Sequence, residues 1–365
     1  MITTSLITTS RRFLHTTRPR LKESTAPLAR ERSRIRRQIH DSGVGDASNE
    51  SKFVASPKTV EIIGAPMTAG QPLLGTDSGP ELIRSLGLSG RLATLGWRVS
   101  DAGDLEFPAP GPSDPSIQQG NGNAKNSTAV GKGNKVLADA VESALAQGRF
   151  PLVVGGDHSI AFGSLAGVLR NNPETAILWI DAHADINTPL TSPSGNMHGM
   201  PLGFFMGLPG FETNKVPGLE WMEGMHGMLK PDKVVYVGLR DVDPGEVEAL
   251  RNLNVTCYSM SHVDRFGIGP LMDMALNKLG DSPIHMSFDI DSVDPVEAPS
   301  TGTVVRGGLS YREAHYVCEA VSETGRLASM DIVEVNPMLS RGAGAEATAD
   351  LAMALTESAM GNRIL

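Results

Sequence analysis

The sequence predicts an α/β fold in which a mainly parallel sheet carries helices on both faces. Short runs that are apolar along their whole length, such as LVVGG and AILWID, are typical of buried parallel strands. Helical patterns alternate with these runs, and alternation of strands with helices predicts parallel pairing. The length of 365 residues allows two domains, or one large domain behind an N-terminal tail.

Each predicted strand is a short apolar run bounded by polar residues, Gly or Pro. There are eight of them: residues 59–65, 97–102, 152–155, 176–181, 233–239, 255–259, 284–290 and 327–335. Apolar residues recur at helical spacing in seven further stretches, which are the predicted helices: residues 79–88, 130–147, 159–170, 244–252, 270–279, 311–323 and 345–360. Segment 104–129 is rich in Pro, Gly and Asn and too long for an ordinary connection, which indicates a lid or a surface excursion.

The charge is distributed unevenly along the chain. Residues 1–40 contain ten Lys/Arg and two acidic residues, a charge of +8. The whole chain has 32 Lys/Arg and 41 Asp/Glu, so the other 325 residues hold 22 and 39 of them, a charge of −17. Because binding of phosphates needs a basic face, this acidic body argues against nucleic acid as a partner.

Composition excludes further classes of protein. About half of the chain is apolar when Gly is included, as in globular proteins, so a wholly disordered chain is excluded. No run of eighteen apolar residues is present, so we predict no membrane-spanning helix and no membrane partner. The two cysteines, Cys257 and Cys318, are too few for a disulfide-stapled secreted protein.

The basic N-terminus has the composition of a mitochondrial transit peptide. Residues 1–22 contain no acid and are rich in Ser, Thr and Arg. We therefore predict a transit peptide or disordered segment over residues 1–40, and a matrix location, with the cytoplasm as the alternative. A disordered basic arm and a nucleic-acid-binding arm are the other interpretations of the segment. Residues 41–57 are small and polar and are predicted to be a linker.

Polar side chains cluster directly after five of the apolar runs, in the motifs GGDHS, DAHAD, GLRDVD, DIDSVD and EVNP. The carboxyl ends of parallel strands meet at one edge of a sheet, where α/β proteins bind ligands. Two of these motifs alternate polar residues with Ala or Ile, so their polar side chains share one face of the strand end. The sequence therefore predicts one site built from five loops.

Six side chains in these motifs are candidate metal ligands: His158, Asp181, His183, Asp185, Asp289 and Asp291. Four carboxylates buried together repel one another and lose solvation, and the sequence offers them no nearby Lys or Arg. Divalent cations are the expected compensation. The set is too large and too rich in oxygen for one tetrahedral zinc, and it suits two manganese or similar ions that share bridging carboxylates.

Seven motifs, in this order, resemble those of the ureohydrolase family and, within it, the arginases: GGDHS (155–159), DAHADIN (181–187), SGNMHG (194–199), GLRDVDPGE (238–246), SFDIDSVDP (287–295), TGT (301–303) and VEVNP (333–337). The resemblance runs from about residue 59 to the C-terminal region. It implies a single three-layer α/β/α domain, residues 58–365, with an eight-stranded, mainly parallel sheet. It also implies a homotrimer or homohexamer, a number that the sequence does not fix.

The resemblance implies two Mn²⁺ ions and the hydrolysis of L-arginine to L-ornithine and urea. One ion would take His158, Asp181, Asp185 and Asp289, and the other Asp181, His183, Asp289 and Asp291, so that Asp181 and Asp289 bridge. A hydroxide between the ions would attack the guanidinium carbon. Asp185 would steady that hydroxide and pass on its proton, His198 would shuttle protons, and Glu334 would hold the guanidinium.

The same resemblance assigns the residues that bind substrate: His183, Asn187, Ser194, Asn196, Asp243, Glu246, Thr303 and Glu334. Among them, the Asn and Ser groups would bind the α-carboxylate of arginine, and Asp243 would take the α-amine with help from Glu246. A site built to hydrogen-bond a group discriminates against analogues that lack it. Three alternatives remain open: an agmatinase, another ureohydrolase of guanidino acids, and an inactive regulatory subunit that binds arginine.

Overall fold

A computed structural model describes residues 59–109, 123–211, 216–340 and 342–362. The described part contains one eight-stranded sheet, in the order β2-β1-β3-β8-β7-β4-β5-β6, and every strand pair in it is parallel. The strands are β1 (Thr59–Ala65), β2 (Arg98–Asp104), β3 (Phe150–Gly155), β4 (Ala176–Ile180), β5 (Val234–Leu239), β6 (Thr256–Ser259), β7 (Ile284–Asp289) and β8 (Leu327–Val333). The predicted parallel α/β sheet is confirmed.

Helices cover both faces of this sheet. They are α1 (Gly79–Ser85), α2 (Leu88–Thr94), α3 (Ser127–Ala146), α4 (Ala161–Asn171), α5 (Pro201–Phe205), α6 (Pro244–Leu253), α7 (Met260–Phe266), α8 (Ile268–Lys278), α9 (Tyr311–Glu323) and α10 (Ala343–Ala359). Helices α1, α2 and α7–α10 contribute to one apolar core, and α3–α6 contribute to a second core on the other face. The three-layer arrangement is thus confirmed, and no helix of the described segments is long and apolar enough to cross a membrane.

The sequence missed three helices, α2, α5 and α7. Each has seven residues or fewer, which is less than two full turns, so an apolar periodicity has no room to repeat. The predicted helix 130–147 begins earlier, at Ser127. Of the predicted lid or surface excursion at 104–129, residues 110–122 lie outside the described residues.

The central strands are buried on both faces and end at the same edge. Strands β3, β4, β5 and β7 are buried over their full lengths, as the predicted apolar runs require. Four strands (β3, β8, β7 and β4) stand side by side in the middle of the sheet. Their carboxyl ends lead directly into the motifs GGDHS, EVNP, DIDSVD and DAHAD, so the sheet order brings these four loops together.

Helices α3 and α4 pack closely because α4 carries glycines on its inner face. A Cβ atom at Gly163 would lie 2.5 Å from the Asn134 carbonyl oxygen and 3.0 Å from Leu137 Cβ. The Gly163 N–H donates to Asn134 Oδ1 at 2.7 Å across the same contact. Any side chain at Gly163 must therefore push the two helices apart.

We expect Gly163→Ala to lower the free energy of unfolding by about 1–3 kcal/mol, the usual cost of overpacking. Gly90→Ala is the matched control, because Gly90 lies in α2 with no atom within 4 Å of an added Cβ. The control substitution should leave the free energy of unfolding unchanged or raise it by up to about 1 kcal/mol, since Ala is the better helix former. Urea unfolding followed by circular dichroism measures both changes, and equal values for the two variants would contradict the packing argument.

Candidate metal centre and substrate site

All six predicted metal ligands lie together at the carboxyl edge of the sheet. His158 follows β3, Asp181, His183 and Asp185 follow β4, and Asp289 and Asp291 lie at the end of β7 and just beyond it. Five of them are buried, and His183 is half-buried. Two groups of their ligand atoms are close enough to hold a metal ion: His158 with Asp181 and Asp185, and Asp181 with His183 and Asp291.

His158 presents one ring nitrogen to three carboxylates. Its Nδ1 is buried and lies 3.1 Å from Oδ2 of Asp181, Asp185 and Asp289, and it forms no hydrogen bond within the described part of the chain. Its Nε2 bonds to Ser287 Oγ at 2.9 Å, and its ring stacks on Trp179 with centroids 4.1 Å apart. The ring is thus fixed with Nδ1 turned toward the carboxylates.

His183 likewise presents one ring nitrogen to two carboxylates. Its Nδ1 lies 3.1 Å from Asp291 Oδ2 and 3.3 Å from Asp181 Oδ1. Asp181 therefore turns one oxygen toward each imidazole. In both residues Oδ1 accepts a backbone N–H, from His183 at 2.7 Å for Asp181 and from Asp291 at 2.8 Å for Asp289. Asp289 differs because only its Oδ2 is directed at a ligand imidazole, that of His158.

The pKa shifts in this cluster reflect an excess of buried negative charge. Burial opposes protonation of His158 and His183, yet the facing carboxylates outweigh it and raise the pKa of both imidazoles. Burial, with the charge of Asp181, raises the pKa of Asp185 to about 6. Burial and the neighbouring carboxylates raise the pKa of Asp289 as well. A divalent cation would supply this positive charge and ligate the orphaned Nδ1 of His158, so the donor set fits a metal centre.

A second part of the site is formed by Glu334, which follows β8. Glu334 is buried, and its Oε1 accepts from the His158 backbone N–H at 2.8 Å. His198 Nδ1 lies 3.4 Å from the same oxygen. Burial opposes protonation of His198, but Glu334, Asp185 and Asp157 outweigh it and raise the pKa of His198 to about 9. Burial likewise opposes ionisation of Glu334, but chiefly the hydrogen bond and charge of His198 lower its pKa, so it is a buried carboxylate.

Backbone conformation sets two of the predicted catalytic residues apart. Among described residues other than glycine, positive φ angles occur at four positions: Asn126, Asp185, Asn254 and Glu334. A left-handed backbone costs energy for residues with a Cβ, and such strain concentrates at functional sites. Asp185 (φ 48°) and Glu334 (φ 66°) are held in this way at the ends of β4 and β8.

Two of the loops predicted to bind substrate meet beside this centre, next to Asp185. Asn187 Nδ2 donates to Asp243 Oδ2 at 2.9 Å, so these two predicted substrate residues lie together. Glu246 is buried beneath them, where its oxygens accept from the N–H groups of Ile186 at 3.1 Å and Asp243 at 3.0 Å. Burial, followed by the charge of Asp185, raises the pKa of Glu246 to about 8. In this structure Glu246 ties the start of α6 to the loop after β4.

The remaining predicted substrate residues occupy two further loops. Ser194 is exposed and Asn196 is half-buried, and the Asn196 N–H donates to Ser194 Oγ at 3.2 Å. Thr303 Oγ1 donates to Asp291 Oδ2 at 2.6 Å, which joins the TGT loop to a metal-ligand candidate.

Comparisons with known proteins agree with this geometry. The sequence model of the arginase family matches residues 58–361. An arginase of Glaciozyma antarctica is 43% identical over 321 residues, covering 86% of this chain and 91% of that protein. Arginase-1 of Mus musculus is 43% identical over 313 residues, covering 85% and 94%. The crystal structure of arginase from Bacillus caldovelox superimposes with a TM-score of 0.77 at 39% identity, covering 84% of this chain and 99% of that chain.

The chain belongs to the arginase family.

One basic residue of this family member lies close to the carboxylate cluster without pairing with it. Among the described residues, the ion pairs of the four candidate carboxylates are with histidines, whereas Arg240 of the GLRDVD motif binds the backbone of the adjoining loops. The Arg240 guanidinium donates to the carbonyl oxygens of Asp291 at 2.6 Å, Ser292 at 3.0 Å and Val305 at 2.7 Å. Arg240 directly follows β5, two strands from β7, and only the sheet order reveals that it reaches the β7 loop.

Sequence reasoning also missed residues that support the site of this family member. Gln71 donates to Glu334, Asp157 accepts from the Gly70 N–H at 2.8 Å, and Trp179 donates to Asp181 Oδ2 at 2.9 Å. Asp157 lies in the GGDHS motif next to His158, and this position in the sequence could have indicated that it supports the site. Gln71 follows β1 in a stretch with no recognised motif, and nothing in the sequence pointed to it.

Proposed function

We propose that this chain hydrolyses the guanidinium group of L-arginine to give L-ornithine and urea. One observation carries the proposal: a carboxylate–imidazole cluster suited to divalent cations lies next to a buried carboxylate, that of Glu334. The two are joined directly, because Glu334 accepts a hydrogen bond from the backbone N–H of His158, a member of the cluster. A guanidinium is a planar cation, and a carboxylate is its natural partner. Membership of the arginase family supports the same reaction.

We propose two Mn²⁺ ions as the resident metals, held by His158, Asp181, Asp185, His183, Asp289 and Asp291. Carboxylate oxygens with imidazole nitrogens suit manganese better than a thiolate-preferring metal, and Asp181 can serve both ions because its oxygens face different imidazoles. When bound, such a pair lowers the pKa of water and supplies a nucleophile near neutral pH.

The protein side chains then have distinct tasks at the guanidinium end. Glu334 would accept hydrogen bonds from the guanidinium and hold its carbon beside the carboxylate–imidazole cluster. Asp185, strained in the loop after β4, would take the proton of the attacking hydroxyl and deliver it to the nitrogen of the leaving ornithine amine. His198 exchanges protons between this buried region and solvent, for which its half-buried position is suited.

At the other end of the substrate, the loops recognise an amino acid. We propose that Asn187, Ser194 and Asn196 bind the α-carboxylate. Asp243 takes the α-amine, and Glu246 assists by fixing the backbone of Asp243. His183 and Thr303 complete the pocket wall beside Asp291. This recognition distinguishes arginine from agmatine, which lacks the carboxylate.

Urea release by the manganese-loaded full chain tests the proposal. L-arginine, agmatine and 4-guanidinobutyrate are supplied in parallel, and we expect kcat/KM for L-arginine to exceed the other two by at least about 100-fold. Faster release from agmatine would make the protein an agmatinase, and faster release from 4-guanidinobutyrate would make it another ureohydrolase. Binding of arginine without urea release would indicate a regulatory subunit instead.

Three further properties are proposals from the sequence and the family resemblance. Residues 1–40 are a mitochondrial transit peptide and residues 41–57 a linker, which places the working protein, residues 58–365, in the matrix. The excess of Lys/Arg in residues 1–40 supports this, and these residues precede both the described residues and the family match. The assembly is a homotrimer or homohexamer.

A further inference from the structure

We propose that Gln71 is a positioning residue for the guanidinium-binding carboxylate: its amide fixes the rotation of Glu334. This inference rests on the proposed role of Glu334 and adds a residue that the family motifs quoted above do not contain. Gln71 follows β1 and is 6% exposed, and Glu334 is 1% exposed, so both groups are shielded from water.

The contact is short and joins distant parts of the chain. Gln71 Nε2 donates to Glu334 Oε2 at 2.7 Å, across 263 positions of sequence. The other oxygen, Oε1, accepts from the His158 N–H at 2.8 Å. Each carboxylate oxygen of Glu334 therefore has a protein donor, and Oε1 also lies 3.4 Å from His198 Nδ1.

Lone-pair geometry gives this arrangement a consequence for binding. A carboxylate has about four acceptor sites, two on each oxygen, and a guanidinium uses one site on each oxygen when it binds in a bidentate fashion. Oε1 faces two donors, the His158 N–H and His198 Nδ1, whereas Gln71 occupies one site on Oε2 and leaves the other free for the guanidinium. Without Gln71, the carboxylate can rotate about its last bond, and the free site on Oε2 no longer has a fixed direction.

Gln71 is itself held firmly in place. A Cβ atom at Gly302 would lie 2.8 Å from Gln71 Oε1, so the TGT loop packs against the amide oxygen. The preceding residue, Gly70, donates its N–H to Asp157 Oδ2 at 2.8 Å and accepts from the His198 N–H at 3.2 Å. These contacts hold the turn in place, so the Gln71 amide can hold the Glu334 carboxylate in one orientation.

Gln71→Met tests the inference because methionine has a similar length and no N–H. We expect kcat/KM for L-arginine to fall about 10- to 100-fold, the range for loss of a buried hydrogen bond to a charged group. The dissociation constant of L-norvaline, measured by calorimetry, should stay unchanged. This amino acid shares the α-carboxylate and α-amine of arginine on an uncharged three-carbon chain. Metal content should also stay unchanged.

Gln71→Asn retains the amide but is one methylene too short, so it should show the same loss as Gln71→Met. Gln147→Met is the matched control, because Gln147 is exposed at the end of α3 and should have wild-type constants. A parallel loss of L-norvaline binding or of metal in the Gln71 variants would overturn the inference in favour of a general structural role. Unchanged kcat/KM in those variants would overturn it as well.

A double-mutant cycle identifies the residue through which Gln71 acts. If Gln71 works through Glu334, adding Gln71→Met to a Glu334→Gln variant should lower kcat/KM by less than threefold further. A full additional loss in that background would refute the coupling. Failure of the proposed function has a different signature, because the wild-type protein itself would then release no urea from L-arginine.

Discussion

Glu334→Gln is expected to lower kcat/KM for L-arginine by about 10²- to 10³-fold while leaving the fold and the metal content intact. Removing one partner of a buried ion pair costs about 3–5 kcal/mol, because the other charge stays buried without compensation. Each 1.4 kcal/mol corresponds to about a factor of ten. In this case the uncompensated charge is the guanidinium of the substrate.

The structure explains why the loss of kcat/KM in Glu334→Gln should follow from the loss of negative charge and not from a change of shape. Glutamine has the shape of glutamate and retains an oxygen that can accept from the His158 N–H. The backbone at this position, with a φ angle of 66°, is equally strained for both residues. The variant therefore removes the negative charge, the acceptor that Gln71 uses and the charge that raises the pKa of His198, and it keeps the side-chain shape.

Steady-state urea release and metal analysis measure the effect. Glu174→Gln is the matched control, since Glu174 is an exposed partner of Lys233 and should show wild-type kcat/KM. The assignment of Glu334 to the guanidinium fails if Glu334→Gln retains full kcat/KM. It also fails if the loss is accompanied by a loss of metal, because Glu334 would then act on the metal cluster.

The regular part of this fold was predictable because its strands are buried on both faces. Runs such as AILWID can be recognised as strands from local composition alone, and all eight predicted strands occur within a few residues of their expected bounds. The ligand candidates were predictable for a related reason, since they follow those strands directly and alternate along the chain. Both properties are local in sequence.

The parts that could not be predicted depend on contacts between distant segments. Arg240 was not expected near the carboxylates because its reach to the β7 loop depends on the order β7-β4-β5 in the sheet. Gln71 meets Glu334 only because β1 and β8 both flank β3. The two sequence-predicted bridging carboxylates, Asp181 and Asp289, also looked alike in sequence, whereas the structure gives them different surroundings.

That difference leads to a prediction about metal stoichiometry. Asp181 directs Oδ2 toward His158 and Oδ1 toward His183, so Asp181→Asn should disturb both metal positions. Of the two ligand imidazoles, Asp291 faces that of His183, so Asp291→Asn should empty one position and leave the other. We expect metal content to fall from about two ions per chain toward zero in the first variant, and to about one in the second.

Metal analysis after gel filtration measures the content, and thermal unfolding with and without added Mn²⁺ gives an independent readout. A ligand that binds only the folded state raises the melting temperature, so Asp181→Asn should gain little on addition of Mn²⁺. Asp139→Asn is the control, because Asp139 is an exposed residue of α3 paired with Lys135. Equal stoichiometry in the Asp181 and Asp291 variants would contradict the bridging assignment of Asp181.

Asp289→Asn then decides whether a second carboxylate bridges. The family resemblance predicts that Asp289 serves both ions, which requires a loss as large as that of Asp181→Asn. In the structure, however, only Asp289 Oδ2 faces an imidazole, at 3.1 Å from His158 Nδ1. Its Oδ1 accepts from the Asp291 N–H at 2.8 Å, as Asp181 Oδ1 accepts from the His183 N–H at 2.7 Å. Loss of both ions would mean that Oδ2 alone serves both positions or that Oδ1 leaves the N–H when metal binds. Retention of about one ion would show that Asp181 is the carboxylate on which the pair depends.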